Sequence, residues 1–490
     1  MSRINQNVGS MVAQRVLSQQ NMDLSRTLNR LSTGLRIVRG SDDPAGLIAS
    51  ENLRAEKVAI NAAMSNAERA EQVVNVAEGG LQEISNMLVE LQSLVTSTAN
   101  EAGVSAEEKE ANQLQIDSIL QSIDRIANST SFQGIKLLNG NFEYTTTGVN
   151  QAEIDDLQIN SAKLSNATGS SLNVDVTLVN SATKGSAFLL DDGAGAIDTN
   201  GAGQVTFEVT GNAGTQQFTF AEGTAVSDVV DAINSFGDSI GVTASTAGDD
   251  VQIDSNGFGS EQFVRVRQLS ANGGTNYVSA TQGGAAVNDF KDFGVDAEVN
   301  INGVSATTNG LQARVSSEGF DVSIMLDAAF AGAGGTGGTS SFSITGGGAD
   351  FNLGPQVNLA NKVSLGIEAV TTGSLGSSGN GTLDSLKAGG LSNVVNGDLS
   401  KAQSVVEDAI KQVSGMRGRL GAFQKNTVGS TVNSLSIALE NTSAAESVIR
   451  DADFAAETAN MTRAQILGQA ATQALAMANT QPSSVLALLG

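Results

Sequence analysis

The stretch VVNVAEGGLQEISNMLVELQSLV, residues 73–95, decides how the rest of the chain is read. Val74, Ala77, Leu81, Ile84, Leu88, Leu91 and Val95 recur at steps of three and four, the spacing that lines side chains along one face of an α-helix. Burying one such side chain is worth roughly 1.5–3 kcal/mol, so the stripe outweighs any propensity term and predicts a long helix packed lengthwise on others. Matching stripes stand at Ile116, Ile119, Ile123 and Ile126, and at Val428, Val432, Leu435 and Leu439. These read as the seams of a bundle formed within one chain.

Punctuation agrees. In SDDPAGL, residues 41–47, Asp42 or Asp43 is placed to cap a helix whose first position is Pro44, where a missing N–H costs nothing. Ser105 with Glu108 has capping-box spacing, and Ser400 with Gln403 offers a second box. Proline occurs only at positions 44, 355 and 482, never inside a stripe, so long helices are allowed.

Outward from the seam the texture changes twice. Between the two helical ends lies a stretch crowded with Gly, Thr, Ser and Asp. There Val205, Phe207 and Val209 alternate with polar residues, GNAG (211–214) turns the chain, and Phe218 and Phe220 resume the alternation, as in a hairpin. Val226, Val229, Val230 and Ile233 predict a short helix, and residues 297–324 again read strand, turn, strand. The expected fold is α+β and multidomain: a long antiparallel helical coiled coil and bundle from both termini, with a β-rich insert of two small modules. The expected boundaries are 1–40 with 452–490 for a terminal coiled coil, 41–145 with 395–451 for a helical bundle carrying a short β-hairpin, and 146–285 and 286–394 for the modules.

Composition removes whole classes of function. The chain has no Cys, His or Trp, so it lacks a thiol nucleophile, the common zinc ligand and the common neutral-pH base. Its formal charge is −24, and −18 of that falls between residues 151 and 390, where 26 acidic residues face eight basic ones. That charge opposes nucleic acid and anionic membrane surfaces. No apolar run approaches the roughly 18 residues of a membrane span, and the amino terminus lacks the apolar core of a secretory signal. The glycines of 331–338 lack the strand and helix of a phosphate loop, and Asp191, Asp192, Asp249, Asp250 and Asp254 do not keep calcium-loop spacing. No catalytic residue, cofactor or metal is assigned.

The two extremities share an odd character. Ile4, Val8 and Met11, then Leu17, Leu24, Leu28, Leu31 and Leu35, trace a stripe at the start, and Met461, Ala464, Leu467, Ala471, Ala474 and Ala478 trace one at the end. Alanine buries little area, so a lone helix of this kind does not hold itself folded. It needs neighbours along its length: the other terminus supplies one, and copies of the chain supply the rest.

The residues that carry this pattern resemble bacterial flagellin. The likeness runs through INQNVGSMVAQR, LNRLSTGLRI, SDDPAGLIASENLR and IDRIANSTSFQGIKLLNG near the start, and through RLGAFQKNTVGSTVNSL, IRDADFAAETANMTRAQIL and SSVLALLG near the end. VNINGVSATTNGL, residues 299–311, is similar to a short motif of flagellin variable regions. The resemblance implies a subunit that polymerises helically into the swimming filament, is exported unfolded by the flagellar type III system, and is secreted rather than enzymatic. It implies an export chaperone, a filament cap and hook-junction proteins as partners, with termini that order on assembly. Ile4, Val8, Leu24, Leu28, Leu467, Ala471, Leu475 and Leu486 are the expected filament-core contacts. Val74, Ala77, Leu81, Ile84, Leu88, Leu91, Val95, Ile116, Ile119, Ile123, Val432 and Leu435 are the expected bundle seam. Arg3, Arg30, Arg36, Arg39, Arg417, Arg419 and Arg463 are either intersubunit ion pairs or a solvated face. Alternatives are a hook–filament junction protein, with related terminal helices, and an adhesin acting through the insert. Flagellins sensed by the animal innate immune receptor resemble this chain over ISNMLVELQSL; here Glu90 replaces an Arg, and Ser93 and Gln115 replace Glu, which implies weak recognition.

Overall fold

The computed structural model describes residues 6–100, 103–164, 171–190, 196–197, 203–270, 277–317, 319–332, 338–377 and 379–487, without the side chains of residue 197 and of 481–487. In chain order its helices are α1 (Val8–Thr33), α2 (Pro44–Thr98), α3 (Ala106–Ser129), α4 (Val226–Asn234), α5 (Gly237–Ile240), α6 (Ala328–Ala331), α7 (Leu399–Ala422), α8 (Gly429–Arg450) and α9 (Phe454–Ala487). The described chain divides into two units: Met1–Glu71 with Asn352–Asn361 and Phe423–Gly490, and Gln72–Phe351 with Lys362–Ala422.

Local chemistry sets the helix ends. Asp43 caps α2, its carboxylate accepting from Gly46 N at 2.9 Å, while Asp42 turns to the preceding loop and accepts from Val38 N and Arg39 N. The box at Ser105 and Glu108 forms in both directions. The box expected at Ser400 and Gln403 does not: the Asp398 carboxylate accepts from Ser400 N at 3.0 Å and takes the cap, because a charged acceptor satisfies helix N–H groups better than a hydroxyl. Gln403 reaches Glu407 instead.

In the first unit, Ile60 and Ala63 of α2 pack with Leu435 of α8, with Met64 and Leu439 partly buried beside them. Lys57 to Glu446 at 3.1 Å and Arg450 to Glu51 at 2.8 Å bracket that contact. Val432 is half-buried. In the second unit the 73–95 stripe is closed to solvent: Val74, Ala77, Leu81, Ile84, Leu88, Leu91 and Val95 are all buried, as are Ile116, Ile119 and Ile123 of α3. Ile126 is half-buried and Ala127 takes its place in the core. Arg417 of α7 meets Glu78 of α2 at 2.9 Å. The hairpin Ser131–Phe132 with Ile135–Lys136 turns on Gln133 and Gly134, both at positive φ, and lies against α2 at Gly80, where a Cβ would stand 2.8 Å from Leu138 and from Thr130.

The insert is two antiparallel cores, and they divide it differently from the expected cut at 285/286. One core joins Ile154, Ile159, Val174, Val176 and Leu178 to Val299, Ile301, Val322, Ile324, Phe342 and Ile344. It lies between a five-stranded sheet, with Leu172–Asn180 between Glu298–Ile301 and Thr339–Gly346, and a four-stranded sheet, with Phe320–Leu326 between Gln312–Ser317 and Ile154–Ala162. The other core runs from Ala187 to Val278 and includes Val205, Phe207, Val209, Phe218 and Phe220 with Val229 and Ile233 of α4. The second module is therefore inserted within the first. Thr183 and Val295 pair across the crossing, N to O at 2.9 and 3.1 Å. There Gly294 is required, since a Cβ would stand 2.4 Å from the Thr183 carbonyl. The 299–311 motif forms a tight hairpin on Asn302 and Gly303, whose positive φ values suit the type I′ turn of an Asn-Gly pair.

Candidate assembly surface

α1 and α9 lie side by side in antiparallel sense. Asn7 Nδ2 donates to Ala478 O at 2.7 Å near one end, and Arg30 Nη1 donates to Glu457 Oε1 at 3.0 Å near the other. Beyond α1 the chain turns at Gly34, φ +70°, and Ala452 N donates to Gly34 O at 2.9 Å while Arg36 N donates to Arg450 O at 2.7 Å. These bonds fix the register of the two extremities.

The seam is a heptad on both helices. On α1 the sheltered heptad positions are Ser10, Ala13, Leu17, Gln20, Leu24, Thr27 and Leu31, with Asp23 and Arg30 half-buried beside them; on α9 they are Glu457, Met461, Ala464, Gly468, Ala471, Leu475 and Ala478. Thr27, Glu457, Ala464 and Ala471 are buried and the others half-buried. Thr27 spends its hydroxyl on the carbonyls of Asp23 and Leu24, which lets a polar residue sit in the seam. Leu24, Ala471 and Leu475 thus pack inside the chain. Val8 at 59% exposure, Leu28 at 48% and Leu467 at 45% do not, and neither do Met11 at 66%, Ile466 at 61% and Met477 at 73%. Ala474 is exposed as well. Ile4 and the side chain of Leu486 lie outside the described residues, as do Arg3, Asp191 and Asp192.

The seam mixes Leu17, Leu24, Leu31, Met461 and Leu475 with small and polar residues, while other large apolar residues of the same two helices face water. Counting only apolar residues finds part of the seam and misses the rest, because Ser10, Gln20, Thr27 and Gly468 also belong to it. Strict 3–4 spacing runs through these small and polar residues as well as the apolar ones.

Among the arginines, Arg30, Arg36, Arg417 and Arg419 have partners within the chain. Glu90 and Ser93 on α2 and Gln115 on α3 are exposed. Two polar anchors on α3 went unforeseen, the buried Gln113 and the half-buried Asp124. The Gln113 amide donates to Leu386 O at 2.8 Å and accepts from Val394 N at 3.0 Å, while Asp124 accepts from both N and Oγ1 of Thr372. Both residues sit on α3 and hold the segment 372–394 to it. Among the described residues no group of three or more acidic side chains is set to hold a metal, and no helix is long and apolar enough to cross a membrane.

Two family patterns match this chain: the bacterial flagellin N-terminal helical region over residues 4–143 and the bacterial flagellin C-terminal helical region over residues 403–489. Similar relatives include flagellin B of Helicobacter pylori, 28% identical over 530 residues, flagellin B of Vibrio cholerae, 27% over 488, and the B-type flagellin of Pseudomonas aeruginosa, 29% over 541. Each alignment covers 99% of this chain and 99% of the relative.

Proposed function

The chain belongs to the bacterial flagellin family, and on that premise we propose that it is a structural, non-enzymatic subunit polymerising through its paired terminal helices into the flagellar filament. The observation that carries this reading is the outward apolar face of α1 and α9, exposed in the single chain at Val8, Met11, Leu467 and Met477. Exposed apolar area of this kind marks an association surface, and a surface that binds a different patch of the next copy generates an open helical polymer. On this reading residues 1–40 with 452–490 supply the filament-core contacts, residues 41–145 with 395–451 are the helical bundle, and the nested modules are the solvated part. Their local charge of −18 suits a solvated exterior.

The filament-core contacts divide accordingly. Leu24, Ala471 and Leu475 hold the helix pair, while Val8, Leu28 and Leu467 meet neighbouring copies. Export unfolded through the flagellar type III system, with a chaperone beforehand and cap and hook-junction proteins at assembly, follows from the family reading. Leu467→Asp tests the proposal: it puts a carboxylate on the outward face without entering the seam. Growth of sedimentable fibres from purified subunits should be lost while monomer helix content is kept. Fibres of parental length would refute the assignment.

A further inference from the structure

The segment after α1 folds back against that helix and leaves a cleft of about 700 Å³ beside the α1–α9 seam. Arg26, Arg30 and Arg39 line it, with Leu17, Met22 and Val38 as apolar wall. The acid that lines it, Asp42, is already engaged. It accepts from Arg39 N and Val38 N, and the Arg39 N–H, then the Val38 N–H and the guanidiniums of Arg30 and Arg26, hold its carboxyl below the usual range against the opposing effect of burial. The arginines are less well satisfied. Arg26 reaches Asp23 only at 3.4 Å, Arg30 Nε is buried with no acceptor, and the Arg39 side chain has no partner among the described residues. Residues 1–40 hold six arginines, one aspartate and no other charge, in a chain of net −24.

We propose that this cleft is a carboxylate-binding site for a second copy of the chain, an acidic side chain of the neighbour entering between Arg26 and Arg39. The proposal rests on the filament reading and says which polar contact registers one copy against the next. Charge complementarity argues for the occupant: the cationic cleft belongs to a molecule that is acidic almost everywhere else, and Arg guanidiniums bind carboxylates with directed, paired hydrogen bonds. In the unit that carries the cleft, Glu56, Glu68 and Glu440 are exposed and have no partner among the described residues, and the entering acid is assigned to one of these three.

Arg39 is the residue to change, because nothing within the described chain depends on its side chain. Seeded fibre growth of Arg39→Gln should need a critical concentration about three- to tenfold above the parent at low salt, the loss expected for one charge-assisted contact. The gap should narrow as salt screens both proteins. Arg39→Glu should stop growth, and one of Glu56→Arg, Glu68→Arg or Glu440→Arg combined with it should restore growth, with monomer melting unchanged throughout. Parental growth by Arg39→Gln and Arg39→Glu overturns the proposal, and so does a loss that none of the three reversals repairs. A parent chain that never forms fibres overturns the filament reading instead, so the two failures are told apart.

Discussion

At the scale of single residues, the balance between seam and surface on the terminal helices turns on a few side chains. Glu457 is buried and pairs with the largely covered Arg30. Glu457→Ala leaves that guanidinium without its acceptor, and such a loss costs about 1–3 kcal/mol. Fibres of the variant should dissociate at a lower temperature than parental ones, read by light scattering on heating. Gly80 is as specific: a methyl group there meets Leu138 and Thr130 at 2.8 Å, so Gly80→Ala should destabilise the second unit by about 1–3 kcal/mol, as overpacking does, despite alanine's better helix propensity. Urea unfolding of the monomer measures it. Glu90 is exposed, so Glu90→Arg should leave stability unchanged while raising receptor activation in a reporter-cell assay on purified monomer.

At the scale of elements, residues 372–394 are held to α3 by the polar side chains of Gln113 and Asp124, and a cleft of the same unit gathers carboxyl groups. A cleft of about 280 Å³ brings together Glu143, Asp155, Asp156 and Glu368 with Tyr144 in its wall. Glu143 and Asp156 reach solvent along part of their length, yet the cleft walls crowd their carboxyl groups. That desolvation, followed for Glu143 by the Glu368 charge, pushes the Glu143 carboxyl up. Desolvation also raises Asp156, with the charges of Glu368 and Asp155 adding to it, and burial pushes Tyr144 up to about 12. Arg419, 2.9 Å from Glu368, is the cation that faces this group. A carboxyl raised in the folded state contributes stability that is complete below its unfolded value and is lost as pH rises through its folded value. Glu143→Gln with Asp156→Asn should therefore stabilise the protein at neutral pH. The advantage over the parent should shrink on acidification toward the ordinary carboxylate range, which calorimetry at a series of pH values would show.

At the scale of the whole molecule, the nested topology makes the outer module separable. Its entry and exit strands meet at the paired residues Thr183 and Val295, and its core shares no residue with that of the module around it. Chain ends this close tolerate excision. Replacing residues 185–294 by a short Gly-Ser linker should leave a cooperative monomer that still polymerises, seen as one melting transition and as sedimentable fibres. Loss of folding in that deletion would mean that the crossing at Thr183 and Val295, not the separate cores, stabilises the inner module.

Periodicity and local capping chemistry make the helices legible in the sequence itself. The 73–95 stripe, the box at Ser105, Pro44 after Asp43 and the hairpin at 211–214 depend on residues close in sequence, and the terminal motifs carried the family resemblance. Tertiary structure alone decided which α1 and α9 positions face each other, because polar Gln20 and Thr27 occupy the seam while Met11 and Leu467 stay outside. It alone placed residues 154–182 in one core with residues 297–344, and it assembled the arginine cleft from a helix and the loop that returns to it. These outcomes depend on strand pairing and helix register across long separations. A linear alternation of apolar residues states that a face is to be buried, but not which distant segment will cover it.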